Sequence, residues 1–137
     1  MIKMMNKKGF TLIELLAIIV ILAIIAVITV PIMLNVIDNA RRGAAIDSAY
    51  GYRDAIHKFY LSKMLEDNTY KIKNGEHDIL YYINEGLEVN GERPTAGWVL
   101  IEGDNVTDFS LKIGEYAVTY YRNSDSIEAI KGGSVIL

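Results

Sequence analysis

The sequence contains no cysteine, and this absence excludes both disulfide bonds and cysteine-ligated zinc clusters. Its only histidines, His57 and His77, belong to no H-E-x-x-H zinc motif. It also lacks a Gly-rich phosphate-binding loop and the G-x-S-x-G motif of serine hydrolases. We therefore expect no catalytic residues, no cofactor and no metal site, and a folded part that depends on its apolar core.

The sequence also has fewer basic than acidic residues. Lysine and arginine total 14 against 17 acidic residues, for a formal net charge of −3. Because binding to phosphate backbones relies on clustered Lys and Arg, this balance argues against nucleic acid as a partner.

What the chain has is a long apolar run. Residues 15–34 contain no charged side chain, and about 20 apolar residues in a helix suffice to cross a bilayer. The run exceeds the about 7–15 residues of a secretory signal core and lacks an A-x-A cleavage site. Lys3, Lys7 and Lys8 precede it, so the positive-inside rule predicts a membrane-inserted chain with a cytoplasmic N-terminus.

A single carboxylate, Glu14, lies at the start of this run. A charge in hydrocarbon is costly, so its presence calls for a reason. One reason is local: Thr11-x-x-Glu14 matches a capping box, in which Thr11 and Glu14 satisfy each other's backbone N–H groups at a helix N-terminus.

A second reason comes from a family resemblance. Residues 8–16 (KGFTLIELL), with the apolar run and Pro31, resemble the class III signal of type IV pilins and of the pseudopilins of type II secretion and competence systems. The resemblance implies that a prepilin peptidase cuts between Gly9 and Phe10 and methylates the new N-terminus at Phe10. It also implies that Glu14 neutralises the terminal amine of a neighbouring subunit during assembly.

The proposed pairing has a physical basis. Opposite charges about 4 Å apart attract by about 1 kcal/mol in water and about 4 kcal/mol at an effective dielectric of 20. Desolvation opposes this gain, and an unpaired buried charge is penalised. We therefore expect the Glu14 pair to set the register of assembly more than its total stability.

Pro31 predicts a helix break or a locally loosened helix, because its ring removes a backbone hydrogen bond and clashes with the preceding turn. The alternative is an ordinary proline tolerated in a membrane helix.

Beyond the apolar run, Ala45, Ala49, Tyr52, Ile56 and Phe59 recur at helical spacing. This stripe predicts that the helix continues to about Met64 and packs under a sheet. Residues 78–85 predict a short second helix, with a strand as the alternative. Alternating apolar residues and intervening turns predict antiparallel strands at 98–102, 106–113 and 115–121, and a last strand at 127–131 or 134–137.

These elements predict an α+β, pilin-like fold with a long N-terminal helix packed against a small antiparallel β-sheet head. The expected division is a cleaved leader (1–9), a membrane-spanning or filament-core helix (10–34), an amphipathic helix (35–65) and the head (66–137). Loss of the leader removes three lysines and leaves 11 basic against 17 acidic residues.

Within the head, residues 94–101 (PTAGWVLI) resemble the sheet of short pilins from Gram-positive bacteria. The lack of a C-terminal disulfide, which many pilins have, agrees with that branch. Asp104, Asn105 and Asp108 lack the EF-hand spacing that would indicate calcium, and Asn105 is better explained as a turn residue.

The function implied is that of a structural pilin, held in the plasma membrane as a precursor and assembled into an extracellular filament for adhesion or motility. Its partners would be the prepilin peptidase, identical or related pilins, and the assembly ATPase and platform protein. The alternatives are a minor pilin or a pseudopilin of type II secretion or competence, a binding module on a single membrane span, and an enzyme held by an uncut anchor.

Overall fold

The computed structural model describes residues 8–66, 78–80, 87–102 and 105–135. The chain divides into two compact units, Met1–Asp38 and Asn39–Leu137. The first contains the apolar part of the helix, and the second contains the rest of the helix and the sheet.

One helix, α1, runs from Leu12 to Glu66 and comprises 55 residues. It ends two residues beyond the end predicted at Met64, with an ion pair of 2.9 Å between Lys63 Nζ and Glu66 Oε2 in its last turn. A basic side chain there opposes the partial negative charge at a helix C-terminus. Pro31 lies inside α1, and the helical assignment continues through it.

Within the described residues, the second unit contains a five-stranded antiparallel sheet in the order β1-β2-β3-β4-β5. Each strand pairs with its neighbour in sequence, so the predicted antiparallel meander is confirmed. The strands are β1 (Asp78–Leu80), β2 (Ala96–Glu102), β3 (Asn105–Ile113), β4 (Tyr116–Tyr121) and β5 (Ser126–Lys131). The last of these confirms the first of the two positions predicted for the final strand.

The assignment of β1 corrects a prediction. Residues 78–85 predict a helix, with a strand as the alternative, and the strand is what Asp78–Leu80 forms: it pairs with β2, with Leu80 lying opposite Val99. An edge strand presents unpaired backbone N–H and C=O groups, and three residues of extended chain satisfy some of them. Residues 81–85 lie outside the described residues.

Alternation along β3 places one set of side chains in the core. Phe109, Leu111 and Ile113 are buried, as the sequence pattern predicted. On the opposite face of β3, Ser110 is also buried, with 0% exposure. Its hydroxyl lies 3.0 Å from that of Thr119 on β4, so both buried hydroxyls have a partner.

The core lies between the sheet and the predicted stripe of α1. Ala45, Ala49, Tyr52 and Ile56 are buried, whereas Phe59 is only partly buried. Tyr60, four residues after Ile56, is also buried and extends the stripe by a turn. Burial raises the pKa of the Tyr52 hydroxyl, and the nearby positive charge of Arg93 partly offsets that rise.

A segment between α1 and β2 lies directly on the helix where small residues permit it. A Cβ at Gly51 would collide with the backbone oxygen of Asn90. Gly91 has a φ of 105°, which favours glycine, and faces Ser48. The Glu92 N–H donates to Ser48 Oγ at 3.0 Å. Gly51 therefore admits the chain's own backbone, which accounts for a small residue at this helical position.

Phe109 is the residue on which this core most depends. It is fully buried, stacks on Tyr120 at a centroid distance of 5.6 Å, and meets Tyr50 edge-on at 6.3 Å. We expect Phe109→Ala to lower the free energy of unfolding by about 3–5 kcal/mol. Urea unfolding of the detergent-solubilised full chain, followed by fluorescence of Trp98, measures the change. The control, Ile130→Ala, alters a side chain that is 53% exposed and should shift stability by less than about 1 kcal/mol. Equal losses in the two variants would contradict this account of the core.

Candidate processing and assembly site

The chain immediately before α1 has no regular secondary structure. Residues 8–11 are all exposed, and the Phe10 side chain retains 85% of its accessible surface. A Cβ built on Gly9 would have nothing within 4 Å. The Gly9–Phe10 peptide bond is therefore outside the helix and unobstructed by the rest of the chain that the structure describes.

The first turn of α1 is closed by a capping box. The Thr11 N–H donates to Glu14 Oε2 at 3.1 Å, and the Glu14 N–H donates to Thr11 Oγ1 at 3.3 Å. The Leu15 N–H donates to the Thr11 carbonyl at 3.3 Å, which is the first hydrogen bond of the helix. The capping box that the sequence pattern indicated therefore forms, and Thr11 fixes the start of α1 at Leu12.

This capping arrangement leaves part of the Glu14 carboxylate available. Only Oε2 accepts the Thr11 N–H, and Oε1 has no hydrogen-bond partner among the described residues. The side chain is exposed and surrounded in sequence by exposed apolar residues, with Leu12 at 87% and Ile13 at 74% exposure. A carboxylate so placed can cap its own helix and still accept a cation from outside.

The helix that follows has an apolar surface that is exposed. Its most apolar window of 18 residues has a mean hydropathy of 3.3, and none of that window is buried. By length and composition α1 can cross a membrane. The exposed apolar side chains extend through Ile37, which is still 42% exposed.

The four residues singled out from the sequence do not form one cluster. Gly9, Phe10 and Glu14 all lie at the N-terminal end of α1, within six residues of one another. Pro31 follows Glu14 by 17 residues of helix, which corresponds to about 25 Å along the axis.

The structure next shows where the side chains lie that the sequence analysis considered as metal ligands. No group of three potential metal-binding side chains occurs in the described ranges. The Arg122 N–H donates to Asp108 Oδ1 at 2.9 Å, and Asp104 lies outside the described residues. His57 is partly buried on α1, whereas His77 also lies outside them.

Comparison with known families gives a match at the N-terminal end of the chain, where the Gly9–Phe10 bond and the capping box lie. Residues 4–30 match the prokaryotic N-terminal methylation motif. The chain carries a prepilin-type signal. This supports a type IV pilin or pseudopilin precursor, as the resemblance of residues 8–16 predicted. Searches of curated proteins and of solved structures found no match.

The prepilin-type signal and the apolar helix together support a membrane-anchored precursor that a prepilin peptidase processes. The family that carries this signal is structural and not enzymatic. Because the match ends at residue 30, it covers none of the sheet-containing unit.

Sequence reasoning left the role of Thr11 undecided. The sequence matches the capping-box motif, but whether Thr11 and Glu14 bond to each other depends on where the helix begins. We expect Thr11→Ala to destabilise the first turn of α1 by about 0.5–2 kcal/mol, because the Glu14 N–H loses the Thr11 hydroxyl as its acceptor. Amide hydrogen exchange of residues 12–15 in detergent micelles measures this as faster exchange. Thr11→Ser keeps the hydroxyl and should retain slow exchange; unchanged protection in Thr11→Ala would contradict the capping role.

Proposed function

We propose that this chain is a structural pilin. The prepilin peptidase cuts it after Gly9 and methylates Phe10, and the mature subunit assembles with copies of itself into a type IV filament at the cell surface. The observation that carries this proposal is the methylation motif at residues 4–30, which contains both Gly9–Phe10 and Glu14.

The backbone at the cleavage site supports processing there. A protease acts most readily on exposed chain outside regular structure, and Gly9–Phe10 lies in such a segment, before α1 begins at Leu12. Had the helix begun several residues earlier, its backbone hydrogen bonds would have to break before cleavage. Capping by Thr11 and Glu14 thus keeps the bond to be cut outside the helix.

Glu14 is the residue that links cleavage to assembly. Removal of the leader creates a positive amine on Phe10, and a carboxylate of a neighbouring subunit can neutralise it in surroundings of low dielectric. The Oε1 atom of Glu14 is available for this contact while Oε2 continues to cap the helix. The capping bond would then hold the carboxylate in one orientation for the incoming amine.

The apolar surface of α1 supports both states of the subunit. In the precursor, the exposed side chains between Leu12 and Ile37 would face lipid. In the filament, the same side chains would pack against those of neighbouring helices. We assign residues 10–34 to the span and later filament core, with residues 35–65 as the amphipathic continuation and residues 66–137 as the head.

Pro31 is proposed to loosen the helix during assembly. Its ring leaves the carbonyl of Val27 without the usual partner four residues ahead, although the isolated chain remains helical there. The remaining partners would be the assembly ATPase and platform protein, with filament tasks of adhesion or motility. No catalytic role, cofactor or nucleic acid enters the proposal.

The methylation motif is common to pilins and pseudopilins, so a subunit of a secretion or competence system is the second candidate. Expression of this chain with only the assembly ATPase, platform and peptidase separates the two. A major pilin builds long filaments without related subunits, whereas a minor subunit or pseudopilin requires them.

Mass spectrometry of the N-terminus tests the processing step. In cells that contain the peptidase, we expect the first residue to be N-methylated Phe10 and residues 1–9 to be absent. Gly9→Val should block cleavage, because a branched side chain replaces hydrogen beside the bond to be cut. Asn6→Ala, which alters the leader away from that bond, is the control. A chain that retains Met1 in the presence of active peptidase would overturn the proposal.

Glu14→Gln tests assembly without disturbing the helix start. Glutamine at this position can still complete a capping box, so the first turn should persist while the negative charge is lost. We expect filament yield, measured by shearing and immunoblotting, to fall at least about tenfold, as loss of a close charge pair would require. Cleavage at Gly9 should continue. Asp47→Asn removes an exposed acid elsewhere on α1 and should leave the yield unchanged. Normal filaments in Glu14→Gln would exclude the pairing.

A further inference from the structure

An exposed Asn-Gly pair lies in the segment between α1 and β2. Asn90 and Gly91 are both exposed, whereas Leu87 and Val89, which precede them, pack against the core. Gly91 has a φ of 105°, a conformation that glycine adopts readily because it has no Cβ. The methylation motif ends at residue 30 and does not account for this pair.

The reactive groups of this pair have no competing contacts. Neither the Asn90 side chain nor the Gly91 N–H has a hydrogen-bond partner among the described residues. Asparagine is one of the thermolabile residues of proteins, and the backbone nitrogen that follows it can attack its side-chain amide. A nitrogen whose N–H is bonded in a helix or a sheet must first lose that bond. The Gly91 nitrogen does not bear this cost, and glycine has no side chain to obstruct its approach.

The other asparagines in the described parts of the chain lack this combination. Asn35 and Asn39 lie inside α1, where the N–H groups that follow them belong to the continuous helix. Asn105 lies in β3 and precedes a valine, whose branched side chain obstructs the backbone nitrogen. After Asn123, the next N–H donates to the Tyr121 carbonyl at 3.1 Å. The structure therefore distinguishes the exposed Asn-Gly pair from these positions.

We propose that Asn90 is a site of spontaneous deamidation. The Gly91 nitrogen attacks Cγ of Asn90, and a new C–N bond closes a succinimide ring. The bond from Cγ to Nδ2 breaks, and ammonia leaves with the proton that the backbone nitrogen gives up. Water then opens the ring at one of its two carbonyls. Opening at Cγ yields an aspartate, whereas opening at the backbone carbonyl yields an isoaspartate, in which the main chain runs through Cβ and Cγ.

The surroundings of Asn90 determine what this modification changes. A Cβ at Gly51 would collide with the backbone oxygen of Asn90, and the Glu92 N–H donates to Ser48 Oγ at 3.0 Å. An isoaspartate adds a methylene to the main chain between these two contacts. Since the lengthened chain does not keep both contacts in register, we expect the bond between Glu92 and Ser48 to break. Deamidation would thus loosen the segment from α1 as the chain ages.

Peptide mapping by mass spectrometry tests the reaction. The full chain is incubated in detergent micelles in water enriched in heavy oxygen, and is then digested in acid. We expect the Asn90 peptide to lose its amide and to gain an acid that carries heavy oxygen. This conversion should become faster as the pH rises, because the attacking nitrogen must be deprotonated. Asn105 and Asn123 should keep their amides over the same incubation. Equal loss at these two positions and at Asn90 would contradict the selectivity that the structure indicates.

A synthetic peptide of residues 87–94 gives the rate of the same pair without tertiary contacts. If the peptide loses ammonia while the folded chain keeps the Asn90 amide, packing against α1 blocks ring closure and the proposal is overturned. Asn90→Gln retains a side-chain amide but requires a larger ring, so no acid should form at this position. Acid formation there at the parent rate would indicate direct hydrolysis without a succinimide. The Asn-Gly pair at 74–75 lies outside the described residues and is mapped separately.

Amide hydrogen exchange at Glu92 tests the structural effect. Protein isoaspartate methyltransferase labels the isoaspartyl chains after incubation. We expect faster exchange at Glu92 in these chains, similar to that in Ser48→Ala, which removes the acceptor. Asn90→Asp adds the charge without lengthening the main chain and should retain slow exchange. Asn90→Gln, incubated in parallel, controls for changes elsewhere in the chain. Slow exchange at Glu92 in the isoaspartyl chains would refute the release of the segment. None of these outcomes depends on cleavage or filament formation.

Discussion

A carboxylate beside an uncharged apolar run is costly in hydrocarbon unless it has a partner, and this cost connects the features of the N-terminal segment. In the isolated chain the partner of Glu14 is the Thr11 backbone, which sets the first residue of α1. The same bond leaves the Gly9–Phe10 peptide outside the helix. Under the proposed function, processing and assembly would thus depend on one short motif, since the residue that would receive the new amine also determines where the helix begins.

The sheet-containing unit is a small domain that must be stable without disulfide bonds. Its core forms only because a stripe of α1 closes one face of the sheet. Tight contacts add to this burial: Gly51 admits the backbone of Asn90, and Ser48 bonds to Glu92. Polar groups are mostly paired within the described residues, and Thr107 is the buried side chain that is not.

Much of this architecture follows from local sequence signals. Helical spacing of apolar residues located the buried stripe of α1, and alternation located β3 and β4, because each pattern reports a single face of one element. Prediction failed where the partner was distant. The segment Asp78–Leu80 has a helix-compatible pattern, yet it is a strand since the edge of β2 is available to it. Ser110 reads as an exposed polar residue, but its burial is possible only beside Thr119.

The sequence by itself determined the prepilin-type signal, the apolar helix and the positions of Gly9, Phe10 and Glu14, because these depend on residues close together in the chain. It also contained the Thr11–Glu14 capping pattern without deciding whether the bond forms. Only the tertiary structure decided that Asn90 and Gly91 lie against Gly51 and Ser48. They come from the chain before a strand and from a helix, and no local periodicity relates them. Their proximity results from packing α1 against the sheet, a long-range event that leaves no pattern in the order of residues.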